Sequence, residues 1–176
     1  MKIIELQQGS EAWHQHRATA RNASDASAMM ACSPYKTRAQ LLQERATGIR
    51  PDVDAATQSR FDRGHEIEAK ARVIVEEMLG QELFPVIGTT DDGYLSASFD
   101  GITMDETTVV EIKSWNEGKA AEVREGRIPT ADVWQCVHQL AVSDANVLIY
   151  VVSDGTPERT VLTRAYPSGR GRVALL

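Results

Sequence analysis

The sequence predicts a mixed α/β chain, a central sheet flanked by helices, and three observations lead there. Up to Gly80 the signals are helical, with capping residues and apolar positions three and four apart. From Glu82 the texture changes to short apolar runs separated by Asp91-Asp92-Gly93, by Asp105-Glu106 and by Asp154-Gly155-Thr156-Pro157-Glu158. One further helical stretch, Ala131 to Ser143, interrupts the strands. Helices, a strand meander, one helix and two closing strands suit a sheet covered by helices.

Each element has its own warrant. Ser10 can cap a short helix from Glu11 to about Arg17 that carries Trp13. Ser24-Asp25 has the form of an N-cap for a second short helix ending before Ser33-Pro34. Thr37-Arg38-Ala39-Gln40 has capping-box form and opens a helix that ends at Gly48. Ile49-Arg50-Pro51-Asp52 is expected to be a loop.

From about Asp54 to Leu79 runs the longest helical pattern, its stripe formed by Phe61, Ile67, Ala71, Ile74, Val75 and Met78, with Gly80 as its stop. Gly64 inside it costs about 1 kcal/mol relative to alanine, which leaves a start near Gly64 as the alternative. Glu82–Thr90 is expected as a strand, and Pro85 marks it as an edge. Tyr94–Phe99 and Val109–Trp115 follow as strands. Asn116–Pro129 is polar and reads as an exposed loop or frayed helix. In the helix from Ala131 to Ser143, Val133, Val137, Leu140 and Ala141 share a face. Asn146–Ser153 is a nearly continuous apolar strand, and Arg159–Tyr166 pairs back on it. A single domain over residues 1–176 is expected, with 167–176 a loose tail rich in glycine and arginine.

At 176 residues such a domain buries roughly two-thirds of its unfolded surface. No apolar run reaches the ~20 residues needed to span a bilayer, and Met1-Lys2-Ile3-Ile4-Glu5 lacks the form of a signal peptide, so a cytoplasmic location is expected. Cys32 and Cys136 stand too far apart to suggest a zinc site or disulfide framework. The net charge of −6 argues against a polyanionic partner only weakly, because binding follows the placement of charge. Fourteen arginines against five lysines favour forked contacts to phosphate oxygens.

The chemistry concentrates in Asp100, ten intervening residues, then Glu111-Ile112-Lys113. On a strand Glu111 and Lys113 project to one side and Ile112 to the other. If the segment holding Asp100 pairs with that strand through the turn near Asp105-Glu106, all three charges converge at one end of the sheet. Two close carboxylates suit a divalent cation that prefers oxygen, and a lysine beside them completes the equipment for phosphodiester hydrolysis. The plain alternative is an exposed hairpin with a Glu111–Lys113 salt bridge.

Three further features weigh against that alternative. Glu68 lies at the edge of the long helix's apolar stripe, where it can face the sheet. Gln135 lies within one helical turn of core positions. Arg17 and Ser24 together can hold a phosphate at a helix N-terminus. His14 and His16, two apart on a helix, point away from each other, and His65 and His138 stand alone. Neither a Gly-x-Ser-x-Gly elbow nor a phosphate-loop glycine pattern is present.

In this order the segments resemble the phage lambda exonuclease and YqaJ-type viral recombinase family of PD-(D/E)XK nucleases. The resemblance is carried by Trp13 to Arg17, Ala23-Ser24-Asp25, Ser33-Pro34-Tyr35, Gly64 to Glu68, Ser98-Phe99-Asp100-Gly101, Glu111-Ile112-Lys113 and Gln135 to Leu140. It implies a restriction-endonuclease-like core, Mg²⁺ or Mn²⁺ dependence with two ions, and 5′→3′ digestion of double-stranded DNA ends in recombination. It also implies a single-strand annealing partner, a ring-shaped homo-oligomer and a bacterial-host or prophage setting. By position, Asp100 and Glu111 would hold metal, the Ile112 carbonyl would add a ligand, and Glu68 would serve the second-metal region. Lys113 would orient or deprotonate the attacking water with Gln135 in support, and Arg17 and Ser24 would grip the 5′ phosphate.

The chain departs from the pattern in three places. Val137 stands where the family often has a second glutamine, and Phe99 replaces a frequent proline. Relatives often continue into a further helix where this sequence has Gly169-Arg170-Gly171-Arg172. Two other readings share the residues: a structure-selective endonuclease on the same fold, and a non-catalytic DNA-end-binding recombination protein. The intact Asp100, Glu111 and Lys113 argue against the second.

Overall fold

The Asp105-Glu106 turn folds as the sequence implies. Glu106 takes a left-handed φ of 58°, and Asp105 Oδ1 accepts hydrogen bonds from Thr103 and Thr107. That turn joins β4 (Leu95–Ile102) to β5 (Thr108–Ser114) as an antiparallel pair. On the other flank of β4 lies β3 (Phe84–Thr89), also antiparallel, and beyond it β1 (Lys2–Ile4). A two-residue strand, β2 (Arg21–Asn22), runs parallel to the start of β4. β5 is parallel to β6 (Val147–Ser153), which pairs antiparallel with β7 (Thr160–Ser168), and β7 with β8 (Arg172–Leu175). The sheet order is therefore β1-β3-β4-β5-β6-β7-β8. The computed structural model describes residues 1–6, 9–49, 54–168 and 172–175.

A parallel pair needs a crossover, and here it is made of α5 (Glu117–Arg124) and α6 (Thr130–Ser143). These two helices bury Ala120, Val123, Cys136 and Leu140 against one face of the sheet, on Phe99, Val109, Leu148 and Tyr150. α4 (Ala55–Leu79) covers the other face, burying Ala71 and Val75 on Val110, Ile112, Ile149 and Val151. The alternation along β5 thus sends Val109, Glu111 and Lys113 toward α6, and Val110 and Ile112 toward α4. α1 (Glu11–Thr19), α2 (Ala26–Met29) and α3 (Arg38–Thr47) complete the first third of the chain. Ser10 and the Thr37–Gln40 capping box close the ends of α1 and α3 as expected.

The structure corrects several expectations. β3 is not an edge strand as a whole, because β1 pairs with it over Ile87–Thr89, but Pro85 lies beyond that paired stretch. It sits where the β3–β4 register shifts between Phe84 and Val86, and such an irregularity tolerates the missing N–H. By contrast, the long helix is as expected: α4 begins at Ala55, capped by the Asp54 side chain, and runs through Gly64. Phe61 and Met78 leave its stripe and are exposed. The expected loop or frayed end over Asn116–Pro129 contains α5, capped by the Asn116 side chain and anchored by buried Ala120, Val123 and Ile128.

On α6 the buried side comprises Asp132, Cys136, Gln139, Leu140 and Ser143, whereas Ala141 is exposed. Ser24 caps nothing and lies inside a single 3₁₀ turn, Ala23–Asp25, ahead of the four-residue α2. Of the expected tail, Pro167 and Ser168 continue β7, and Arg172–Leu175 pair with it. Residues 169–171 of that stretch, with Arg50–Asp52 of the expected loop, lie outside the described residues.

Candidate active site

The site forms where β4 and β5 part. Their ladder holds at Gly101–Val110 and Ile102–Val109, and one residue further on Asp100 Oδ2 accepts the Ile112 N–H at 2.7 Å in place of a strand partner. A carboxylate inserted between two strands is thereby held beside Glu111 on the next rung. Burial, then the charges of Glu111 and Glu68, raise the Asp100 carboxyl well above the usual range, against the pull of the Ile112 N–H.

Glu111 is 3% exposed, and both its oxygens are engaged. Oε1 meets the Lys113 ammonium at 2.5 Å and accepts from Gln135 Nε2 at 2.6 Å. Oε2 accepts from Gln139 Nε2 at 2.5 Å. Lys113 Nζ also donates to Gln135 Oε1 at 3.0 Å, so one glutamine bridges the lysine and the glutamate. Burial lowers the Lys113 pKa, but the charges of Glu111, Asp132 and Asp100 outweigh it and leave it raised. Lys113 is held as an ammonium.

Glu68 reaches the same neighbourhood from α4. Burial raises its carboxyl, His65 opposes the rise, and Glu111 adds to it. Arg72, one turn further along α4, donates from Nε to the Asp100 carbonyl at 2.6 Å and ties that helix to the splayed strand. Asp100, Glu111, Lys113, Gln135 and Glu68 are thus brought together, with the Ile112 backbone among them.

Arg17 and Ser24 form a separate group on the α6 face. Arg17 Nη2 donates to Ser24 Oγ at 2.8 Å, and the guanidinium lies 4.6 Å over the Trp13 ring. Arg45 fixes the same backbone, donating to the Arg17 and Ala18 carbonyls at 2.7 and 2.9 Å while it pairs with Asp25. Arg17, Lys36 and Arg45 line a cavity of about 120 Å³ there.

Sequence reading missed Gln139, which is fully buried and also donates to the Ser98 carbonyl at 3.2 Å. Val137 at the position of the family's second glutamine leaves the task to a residue one helical turn from Gln135. The signal was that i, i+4 spacing on one helix. Also missed was Asp132, whose Oδ2 accepts from Lys119 Nζ and from Tyr150 Oη, each at 2.6 Å, and whose charge reaches Lys113.

Among the described residues no three His, Cys, Asp or Glu side chains converge as a ready-made metal cage. The donor set still fits a divalent cation. Asp100, Glu111 and Glu68 repel one another in a desolvated pocket, and magnesium characteristically takes one or two carboxylates, several waters and the substrate's phosphate rather than a full protein cage. A carboxylate oxygen has two lone pairs, so the hydrogen bonds on Glu111 do not exhaust it. No described helix is long and apolar enough to cross a membrane.

Comparison with known proteins agrees with this geometry. An alkaline exonuclease from Laribacter hongkongensis superposes with a TM-score of 0.69 at 25% identity, over 90% of this chain and 83% of that one. A structure of LHK-Exo in complex with dAMP gives 0.71 at 24%, over 92% and 85%. A phage-related exonuclease from Haemophilus somnus gives 0.61 at 10%, over 86% of each chain. No protein among curated sequences matches. The model of the YqaJ-like viral recombinase domain matches residues 12–146, a span that holds Arg17 and Ser24, α4, both carboxylate strands and α6. The chain belongs to that family, and its core is the PD-(D/E)XK restriction-endonuclease-like one.

Proposed function

We propose that this chain is a metal-dependent 5′→3′ exonuclease of double-stranded DNA. The observation that carries the reading is the charged cluster at the parting of β4 and β5, three mutually repelling carboxylates beside an ammonium locked to Glu111 through Gln135. Family membership and the exonuclease neighbours support a phage-type nuclease. The dAMP held by one of those neighbours is a deoxynucleoside monophosphate of the kind an exonuclease releases.

Asp100 and Glu111 would hold the cation, with the Ile112 carbonyl as a further ligand and Glu68 serving a second ion. When bound, Mg²⁺ or Mn²⁺ supplies polarisation of the scissile phosphate and offsets its developing charge. Lys113, protonated at Nζ, orients the attacking water and adds positive charge beside the reacting phosphorus, so it acts as a donor rather than a base. Gln135 fixes the direction of that donor. Gln139 fixes the far oxygen of Glu111, and Arg17 with Ser24 holds the terminal 5′ phosphate. The strand left behind ends 3′, the form that a single-strand annealing protein takes up, and a ring-shaped homo-oligomer would keep the enzyme on its duplex.

The test is a time course on linear and closed circular duplex, with Mg²⁺ and with chelator. Loss of linear duplex alone, only with Mg²⁺, and abolished in Asp100→Ala and Glu111→Ala is the expected result. Cleavage of the closed circle points to an endonuclease on the same fold. Cleavage that survives chelator or either substitution overturns the mechanism.

A further inference from the structure

Asp132 is a buried carboxylate to which the proposed reaction assigns no task. It lies in the first turn of α6 and is 9% exposed. Its Oδ2 accepts from Lys119 Nζ of α5 and from Tyr150 Oη of β6, each at 2.6 Å. One carboxylate thus ties together three elements beside the site. Burial, then the charge of Asp132, pushes the Tyr150 hydroxyl above its ordinary range, so the phenol keeps its proton and donates. Taking a carboxylate out of water is costly, and apolar side chains of similar volume are often as stable in the place of a buried ion pair. Stability alone therefore gives little reason for this group.

Its neighbours supply one. Asp132, Gln135 and Gln139 stand three and then four residues apart, a spacing that puts them on one face of α6. Gln135 and Gln139 both donate to Glu111, and Gln135 also accepts from Lys113. Tyr150 pairs in register with Glu111 on the adjacent strand and shares its face of the sheet. Asp132 therefore fastens α6 to β6 one helical turn ahead of the glutamine that directs Lys113. Its charge also reaches Lys113. Glu111 divides Oε1 between Lys113 and Gln135, and would divide it further on binding a cation. Asp132 is held clear of that competition by Lys119 and Tyr150, so its pull on the ammonium stays constant.

We propose that Asp132 is a positioning residue, clamped by Tyr150 and Lys119, that seats α6 and holds the Lys113 ammonium where Gln135 can aim it. The proposal rests on the exonuclease reading above and deepens it, because Asp132 acts through Lys113 and touches neither the strand nor the scissile phosphate.

The experiment removes the charge with Asp132→Asn, which keeps the shape, and removes one clamp with Tyr150→Phe. Single-turnover cleavage of linear duplex gives the rate, lysine ammonium spectra of protein with isotope-labelled lysines give the placement, and melting temperature checks folding. With five lysines in the chain, the Lys113 resonance is the one missing from Lys113→Ala. In Asp132→Asn the rate should fall about tenfold or more, with the half-saturating duplex concentration within about twofold of the wild type. The Lys113 resonance, slow to exchange with water in the wild type, should broaden in the same variant. Tyr150→Phe should move both readouts in the same direction by less. In a Lys113→Ala background, adding Asp132→Asn should change the residual rate by less than about twofold, as for residues that act as one unit. A carboxylate that only stabilises the fold would lower the melting temperature, leave the Lys113 resonance as it was and cost the same factor with or without the lysine. An unchanged resonance, or an equal loss in both backgrounds, overturns the proposal. A wild type that degrades no linear duplex overturns the exonuclease reading instead, and the Lys113 resonance still decides whether Asp132 places the lysine.

Discussion

Asp100 and Gln139 set the energetics of this site from opposite directions. Asp100 is a carboxyl whose pKa is raised well above the usual range, by burial and by the charges of Glu111 and Glu68. A group whose folded pKa is raised contributes stability that is fully present below its unfolded value, near 4 for a carboxyl, and lost as pH rises through the folded value. The metal-free protein should therefore lose melting temperature as pH climbs above about 4, until Asp100 and Glu68 have both ionised. Asp100→Asn should flatten that decline, and Mg²⁺ should raise the wild-type melting temperature more at pH 8 than at pH 5. A decline of equal steepness in Asp100→Asn would place the repulsion elsewhere. Gln139 is satisfied at its amide and buried, with Oε1 lacking a partner. Gln139→Leu removes a donor from a buried carboxylate, a loss of about 1–3 kcal/mol. Turnover should fall by tenfold or more with KM for DNA little changed, since Gln139 touches Glu111 and not the strand. A rise in KM without a fall in kcat would assign it to substrate binding.

Among the elements, β4 is the one on which the site depends, because it must leave β5 at the right residue. Gly101 follows Asp100, and a Cβ there would meet the Leu83 Cβ at 3.0 Å, a stem atom that cannot swing aside. Gly101→Ala should cost about 1–3 kcal/mol of overpacking, read as a lower denaturation midpoint, and should lower cleavage beyond that loss by shifting Asp100. Restoration of activity by a second change, Leu83→Ala, would trace the effect to that contact. The element scale also explains what the sequence made legible. Asp100, Glu111 and Lys113 could be found because strand alternation and a turn with Asp105 at its start dictate where side chains go. Gln139 could not, because a glutamine in a helix looks like surface until the helix's rotation is known, and Val133 and Val137 suggested the wrong rotation. β1 is three residues long and carries no period, and α5 hid because its few apolar positions, Ala120 and Val123, lie between Gly118 and Gly126.

For the molecule as a whole, an acidic chain must engage a polyanion, which requires its cations to be concentrated rather than numerous. Arg17, Lys36 and Arg45 share one small cavity on the α6 face with Asp25 and Glu44, which pair with Arg45 and Lys36, and Arg45 pins its backbone through two carbonyls. Arg17 is already stacked on Trp13 and bonded to Ser24, so little side-chain freedom is lost when a phosphate arrives. On the proposed reading the arrangement would separate end recognition from hydrolysis, with the end gripped on one face of the sheet and the bond cut at the parting of its strands. A 5′-phosphorylated linear duplex should therefore be degraded faster than a 5′-hydroxyl duplex, and Arg17→Ala should erase most of that preference. A charge-assisted contact of about 1.5–3 kcal/mol corresponds to roughly ten- to a hundredfold in rate or affinity. Ser24→Ala, which removes one hydroxyl and leaves the guanidinium, should lower the preference by less. If Arg17 only shields Trp13, Arg17→Ala lowers the melting temperature and slows both substrates alike, with their ratio unchanged. Equal wild-type rates on the two ends would remove the grip from the α6 face, leaving the carboxylates with no means of telling an end from the interior of a duplex.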